Sequence, residues 1–334
     1  MVKTVPLPLQ HIASWHNVAW ALQRAARGKR HRSEVRAALA KPEQTIETIA
    51  KSLSEGRLPQ GQWREFTIYD PKQRLIHAAP FVDRVAHHAL MRSVEPVFER
   101  VLLPSVYACR VNKGVHKAID DAQAKMRRYS WVMHMDIRHY FPNIDHHRLR
   151  AQLRRRFRGS GLQLLDAVID SYQTAPHKGL PIGALSSQHY ANHYLNDADR
   201  WLLAQRETRA HCRYMDDFLV WGDSAQALRC LRDRFTHYLG DGLKLTVKPV
   251  LIQRCEVGIG FCGVRIKPHC ITPSQRRRRR YRTALELIHK EYDKNRLDGL
   301  QLQRRYDATK TILLPADDMP WRKHCLGYGA VPDV

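Results

Sequence analysis

Apolar side chains change their spacing several times along the chain, and each change predicts an element. In HNVAWALQRAARGKRHR and EQTIETIAKSLSEG, within the first sixty residues, they recur every three or four positions, the second stretch closing at Gly56; both read as helices. WREFTIYDPKQRLIHAAP switches to a period of two: Phe66 and Ile68 alternate with polar neighbours, Asp70 and Pro71 supply a turn, and RLIHA returns as the second arm of a hairpin. In FVDRVAHHALMRSVEPVFE the residues Val82, Val85, Ala86, Ala89, Leu90 and Val94 trace one helical face, with Pro96 expected in the last turn. His87 and His88 on that helix read as packing or surface residues.

After the loop PSVYACRVNKG a helix runs to about Arg128, and WVMHM then suits a buried strand ending at Asp136. Two helical segments and the loop HKGLPIGALSSQ lead to the long pattern HYANHYLNDADRWLLAQ. A hairpin over RYMDDFLVWG follows, then a helix from about Ser224 to Leu239, and short strands around LKLTVK and in VGIGFCGVRIKP. From Ser274 the chain turns basic: QRRRRRYRTALELIHKEY and QLQRRYDATKTILL read as helices ahead of a loose tail. There are no internal repeats and no low-complexity linker.

Composition narrows the partner. The chain has 334 residues, 43% of them hydrophobic, enough for a buried core and two or three subdomains. Fifty-six Lys plus Arg oppose thirty-two Asp plus Glu, a net charge of +24 that nucleic acid would neutralise. No apolar run approaches the ~20 residues that cross a bilayer. The start MVKTVPLPLQ has no apolar signal core, so a cytoplasmic protein without membrane contact is expected. Seven cysteines, an odd number with no CxxC pair, read as reduced thiols and not as a zinc site or a disulfide framework.

The candidate chemistry is acidic. Asp216 and Asp217 sit side by side at a hairpin tip, and Asp136 ends a strand eighty residues earlier. Adjacent carboxylates repel, so a fold that keeps them ionised needs a cation between them. A DD pair alone also suits a solvated turn. If the hairpin pairs beside the Asp136 strand, however, three carboxylates meet at one sheet edge, able to hold two Mg2+ ions roughly 3.5–4 Å apart.

The flanking residues carry a resemblance. YMDD at 214–217 and DIRHYF at 136–141 resemble motifs C and A of reverse transcriptases, GLPIGALSSQHYANHYLN resembles motif B, FCGVRIKP the primer grip, and YDPKQRLIHAAPFVDRVAHHAL the fingers, in that family's order from about residue 63 to 282. IGALSSQ fits the IGxxxSQ pattern of the reverse transcriptases of diversity-generating retroelements, and SVYACRVNKGVHKAI looks like the same subfamily. The resemblance implies an α+β right-hand polymerase fold: an N-terminal helical extension (1–60), fingers (61–130), a palm with an antiparallel sheet (131–270, with a fingers insertion at about 146–190), and a short helical thumb with a tail (271–334). It leaves no room after the thumb for an RNase H, endonuclease or maturase domain.

The implied roles fall on individual residues. Asp136 and Asp216 would ligate both Mg2+ ions, with Mn2+ a possible substitute; Asp217 would complete the cluster and the Ile137 carbonyl one coordination sphere. Phe141 stands where the family has a steric gate against a 2′-OH. Lys72 and Arg74 would meet the triphosphate, although KQR at a hairpin tip also suits a solvated turn, and Lys248 would protonate the leaving pyrophosphate. Many relatives have Gln where this chain has Ile182; an aliphatic side chain cannot reproduce those hydrogen bonds, so looser nucleotide selection is expected. Gly183 would shape the pocket and Gln188 touch the template.

Phe261 and Gly263 fall in the primer grip. Arg276, Arg277 and Arg280 lie in a run of which only two or three members can face one duplex, since each helical step turns ~100°. The resemblance further implies dNTPs, a template RNA, its cDNA and a basic, helical, pentameric accessory protein as partners. Other readings stay open: a retron or phage-defence reverse transcriptase, an RNA polymerase (which Phe141 disfavours), or a non-catalytic RNA-binding scaffold.

Overall fold

Small and branched apolar residues on one face of each N-terminal helix let these helices lie close together. The structure, a computed structural model, describes residues 4–314 other than 60, 62 and 70–72, together with 316 and 321. Strand β1 (Val5–Pro6) and helix α1 (Leu9–Ile12) precede α2 (Trp15–Ala26), which buries Val18, Ala21, Leu22 and Ala25. Helices α3 (Ser33–Ala40) and α4 (Pro42–Ser54) follow; Pro42 starts α4, where its missing N–H costs nothing. The expected hairpin is β2 (Arg64–Ile68) against β3 (Arg74–Ala78), antiparallel with Phe66 opposite Ile76. Its turn, with Asp70, Pro71 and Lys72, lies outside the described residues.

Helix α5 (Phe81–Val101) does not stop at Pro96. Val97 and Phe98 beyond it are buried, and that burial outweighs the one backbone bond a proline removes. After α6 (Val115–Arg128) comes β4 (Trp131–Asp136), ending at Asp136 as its apolar run predicts. Then come α7 (Tyr140–Asn143), α8 (His146–Arg154), β5 (Phe157–Arg158) and α9 (Leu162–Asp170). The two-residue strand β5 pairs in parallel with β1, a contact too short to leave any periodicity in the sequence.

Helices α10 (Leu185–Tyr194) and α11 (Asn196–Leu203) lead into β6 (Ala210–Tyr214) and β7 (Asp217–Gly222). Helix α12 (Ala225–Leu243) is capped by the Ser224 hydroxyl, which accepts from the Ala227 N–H at 3.1 Å. The strand expected at LKLTVK is displaced. There only Val247 bridges to Ile137, Pro249 offers no N–H to a ladder, and pairing resumes as β8 (Leu251–Arg254). Strands β9 (Ile259–Phe261), β10 (Val264–Ile266) and β11 (Ile271–Pro273) form a small antiparallel sheet, followed by basic helices α13 (Gln275–Asp293) and α14 (Gly299–Lys310).

Among the described residues the main sheet has the order β6-β7-β4-β8, antiparallel throughout. Both faces are covered. Met133, Met135, Phe218 and Val220 join the larger core with α2, α5 and α10, while Val132, Leu219 and Trp221 join a second core with α6, β9 and β10. This double burial explains why WVMHM and FLVW read as unbroken apolar runs. By the same alternation, His134, Asp136 and Asp217 share one face at the end of the sheet. No helix among the described residues is long and apolar enough to cross a membrane.

Candidate active site

The site is built on a two-residue turn. Tyr214 pairs with Asp217, so Met215 and Asp216 make the whole connection between β6 and β7. Met215 takes a φ of 58°, the left-handed conformation that such primed turns require and that a side chain resists. Arg213 compensates: its Nη1 donates to the Met215 carbonyl at 2.8 Å. The rest of this guanidinium is equally committed, Nε and Nη2 to the two oxygens of Asp199 at 2.7 and 2.6 Å, Nη1 and Nη2 to Asn192 Oδ1 and O at 2.9 and 3.1 Å. All five N–H donors are thereby satisfied. Arg213 and Asp199 are both wholly buried, and His211 Nε2 lies 3.0 Å from the same carboxylate. The turn is therefore tied to α10 through Asn192 and to α11 through Asp199.

Register brings the acids together. Asp136 and Asp217 are Cα partners across β4 and β7, and the Ile137 N–H donates to the Asp216 carbonyl at 3.3 Å, clamping the turn against the end of β4. Burial, then the charge of Asp136, pushes the Asp216 carboxyl up to about 6. Burial also raises Asp217, against the opposing hydrogen bond from His134. His134 Nε2 lies 2.5 Å from Asp217 Oδ1; burial alone would lower this imidazole, but the carboxylate outweighs it and the net shift is upward. Lys248 Nζ donates to Asp136 Oδ2 at 2.7 Å, and its backbone N–H to the Asp136 carbonyl at 2.8 Å.

Among the described residues no three acidic, His or Cys side chains already close into a metal cage. Two of the carboxylates are instead hydrogen-bonded within the protein, Asp136 to Lys248 and Asp217 to His134. The donor set nevertheless fits a divalent ion. Three carboxylates share one sheet end, Asp136 Oδ1 is buried with no hydrogen-bond partner, and the repulsion raising Asp216 is what a cation relieves.

The other expected residues are placed as follows. Phe141 is half-buried on α7, its ring edge-on to Tyr140 at 5.7 Å, and its carbonyl accepts from the Leu180 N–H at 2.9 Å, which seats it beside the loop before α10. In that loop the Ile182 carbonyl accepts from the His77 N–H of β3 at 3.0 Å. Gly183 has a φ of +116°, and a Cβ there would stand 2.9 Å from Ile76 Cγ2. Gly183→Ala is accordingly expected to lower stability by about 1–3 kcal/mol, which chemical denaturation checks. Gln188 is exposed, its Oε1 3.5 Å from Cys109 Sγ. Arg74 is exposed at the start of β3, and Lys72 lies outside the described residues.

The primer-grip and thumb expectations divide. Phe261 is a core residue, 2% exposed. Gly263, with a φ of +79°, leaves room for Arg277, whose Nε would lie 2.7 Å from a Cβ there. Arg277 is turned inward: it donates to the carbonyls of Cys262 at 3.2 Å, Ile312 at 3.4 Å and Leu314, fastening the β9–β10 turn to the segment after α14. Arg276 and Arg280 are exposed on α13. Sequence reasoning missed His134, Asp199 and Arg213. Their signal was the presence of ionisable residues inside apolar strands and a buried helix face, where such groups persist only when paired.

The family model described as reverse transcriptase (RNA-dependent DNA polymerase) matches residues 69–266, more than half of the chain. Protein YkfC of Escherichia coli strain K12 is 26% identical over 224 residues, covering 54% of this chain and 58% of its own length. The group II intron-encoded protein LtrA of Lactococcus lactis subsp. cremoris is 24% identical over 171 residues, 48% of this chain and 28% of its own length. The chain thus spans little more than half of one relative and under a third of the other. Among solved structures, apo telomerase from Candida tropicalis is similar with a TM-score of 0.49 at 10% identity, over 65% of this chain and 49% of that one. The family match runs from the β2–β3 hairpin through the carboxylate edge to the end of β10, and the chain belongs to the reverse transcriptase family.

Proposed function

We propose that the chain copies a template RNA into error-prone cDNA, with changes concentrated at template adenines, as the polymerase of a diversity-generating retroelement. The observation that carries the polymerase reading is the register pairing Asp136 with Asp217 while Asp216 occupies the adjoining turn. Asp136, Asp216, Asp217 and the Ile137 carbonyl would hold Mg2+, with Mn2+ as a substitute. Bound there, the metal supplies activation of the primer hydroxyl and relief of charge on the departing pyrophosphate. Lys248, 2.7 Å from Asp136 Oδ2, holds a proton at Nζ within reach of that edge and would pass it to the pyrophosphate. Arg74 and Lys72 would grip the triphosphate as fork and point charge, and the Phe141 ring would exclude a 2′-OH.

In this reading β2–β3 belongs to the fingers, the main sheet to the palm and α13–α14 to the thumb. The exposed arginines of α13, Arg276 and Arg280, would follow duplex phosphates, and a basic, helical, pentameric accessory protein would help the chain hold its RNA. Ile182 supports the low-fidelity part. Its carbonyl is committed to His77, and its side chain offers the nucleotide no hydrogen bond. Ile182→Gln is expected to lower misinsertion opposite template adenine by about tenfold, the scale of one selective hydrogen bond. Sequencing cDNA made by the purified protein on RNA from its own locus tests this; an unchanged error spectrum removes Ile182 from the account.

A further inference from the structure

One residue of the β2–β3 hairpin grips both ends of the segment that runs from α9 to the turn before α10. The His77 side chain, 8% exposed, reaches the start of that segment: its Nε2 lies 2.8 Å from the Tyr172 hydroxyl, with the two rings 4.5 Å apart. The His77 backbone holds the other end, its N–H donating to the Ile182 carbonyl at 3.0 Å. Between these ends the Leu180 N–H is fixed on the Phe141 carbonyl at 2.9 Å. The closed loop 172–182 therefore carries Ile182 and abuts Phe141, the two side chains assigned to nucleotide selection.

The imidazole is itself held from both sides. Register sets Glu65 directly opposite His77 across the hairpin, and its Oε1 lies 3.1 Å from His77 Nδ1. A carboxylate only accepts, so Nδ1 carries the proton given to Glu65, and Nε2 of the neutral ring is left to accept the Tyr172 O–H. Both ring nitrogens are thereby committed. The Trp63 ring, just before β2, stands 6.4 Å from that of Tyr172 and packs beside it. One residue earlier on β3, Ile76 meets the turn directly, its Cγ2 2.9 Å from where a Cβ on Gly183 would stand. Strand β3 thus touches the turn 182–183 through backbone and side chain alike.

We propose that His77 is a positioning residue for nucleotide selection: through Tyr172 and the Ile182 carbonyl it sets the place of the Ile182 turn relative to Phe141, and with it how strictly the pocket rejects a wrong base. The inference rests on the polymerase reading above and adds to it a residue outside the reacting groups. Ile182 offers the nucleotide shape and no hydrogen bond, so its selectivity depends on where its side chain is held. Loosening one end of the loop lets the turn yield to a mispaired nucleotide. Correct insertion needs no such yielding and suffers less.

The test measures right and wrong dNTP insertion opposite template adenine in Tyr172→Phe, which keeps the ring and removes the hydroxyl. Misinsertion relative to correct insertion is expected to rise about fivefold, the scale of one neutral hydrogen bond, with kcat for the right nucleotide within about twofold of wild type. A merely structural bond would lower the melting temperature and both insertions together, leaving that ratio where it was. His77→Leu is expected to raise the ratio at least as far, whereas His77→Gln, whose Oε1 can accept the Tyr172 O–H, keeps it within about twofold of wild type. In an Ile182→Ala background, removing the Tyr172 hydroxyl is expected to change the ratio by less than about twofold, since the side chain it places is gone. An unchanged ratio in Tyr172→Phe, or the same rise without the Ile182 side chain, overturns the proposal. Where His77→Leu does not fold, Tyr172→Phe decides alone. If the wild type inserts no nucleotide, the polymerase reading fails instead. The grip is then judged by hydrogen exchange at the His77 amide, which is about fivefold faster in Tyr172→Phe if the ring sets the turn and unchanged if it does not.

Discussion

Asp216→Asn is expected to abolish the proposed dNTP incorporation, by about a thousandfold or more, while leaving the affinity for template RNA nearly unchanged. The substitution keeps shape and removes charge at the one acid that belongs to neither strand of the pair. Asp136 and Asp217 already face Lys248 and His134, whereas Asp216 is held high by burial and by its acidic neighbours. The same shift gives the stability arm of the prediction. A carboxyl with a folded-state value near 6, above the 3.8 of the free side chain, binds more protons folded than unfolded between those limits. In metal-free protein its contribution therefore makes stability fall as pH rises through about 4 to 6. Asp216→Asn removes that decline, so the metal-free variant is expected to melt above wild type at pH 7 and to gain less from added Mg2+. Rapid-quench incorporation, RNA titration and thermal melts with and without Mg2+ check the three parts; incorporation at the normal rate contradicts the role given to Asp216.

The second large effect lies away from the reacting atoms. Asp199→Asn leaves Arg213 buried beside a neutral amide and is expected to destabilise the protein by about 3–5 kcal/mol, the usual result of breaking one side of a buried pair. For a chain of this size that is on the order of 10 °C in melting temperature. Burial pushes the Asp199 carboxyl up, but the Arg213 charge and the hydrogen bonds from His211 and Arg213 win, so its folded value is depressed. The pair's contribution is thus complete above about pH 4 and is lost as pH falls through the lowered value. Arg213→Met with Asp199→Leu is expected to melt above either single change, because no charge is left alone. Its activity is expected to stay low even so, since no donor then holds the Met215 carbonyl and the left-handed turn loses its support. A double variant with full activity contradicts the positioning role of Arg213.

Much of this site is legible in the residues. The period of two in REFTI and RLIHA, the apolar runs ending at Asp136 and beginning after Asp217, and the small-residue loop before α10 each correspond to an observed element; the two central strands bury their apolar runs, whereas the hairpin keeps its strands with Phe66 and Leu75 exposed. What was not legible depends on long-range partners. Arg213 resembles any polar strand residue until Asp199 and Asn192 arrive from two other helices. His134 sits inside an apolar run and declares its purpose only when register sets Asp217 diagonally across from it. Arg277 shares its sequence context with Arg276 and Arg280, yet the glycine at 263 opens a slot for it alone. The displacement of the strand from LKLTVK to Leu251–Arg254 could be read in advance only by giving Pro249 more weight than the alternation before it.

The most direct measurement is a crystallographic search for Mn2+ by anomalous scattering in the protein bound to primer, RNA template and a non-reacting dNTP. The account predicts two peaks roughly 3.5–4 Å apart at the end of β4, with oxygens of Asp136 and Asp216 about 2.2 Å away and Lys248 released from Asp136. Manganese bound elsewhere, with Lys248 still on Asp136 in a complex that extends its primer once a reactive dNTP is supplied, contradicts it.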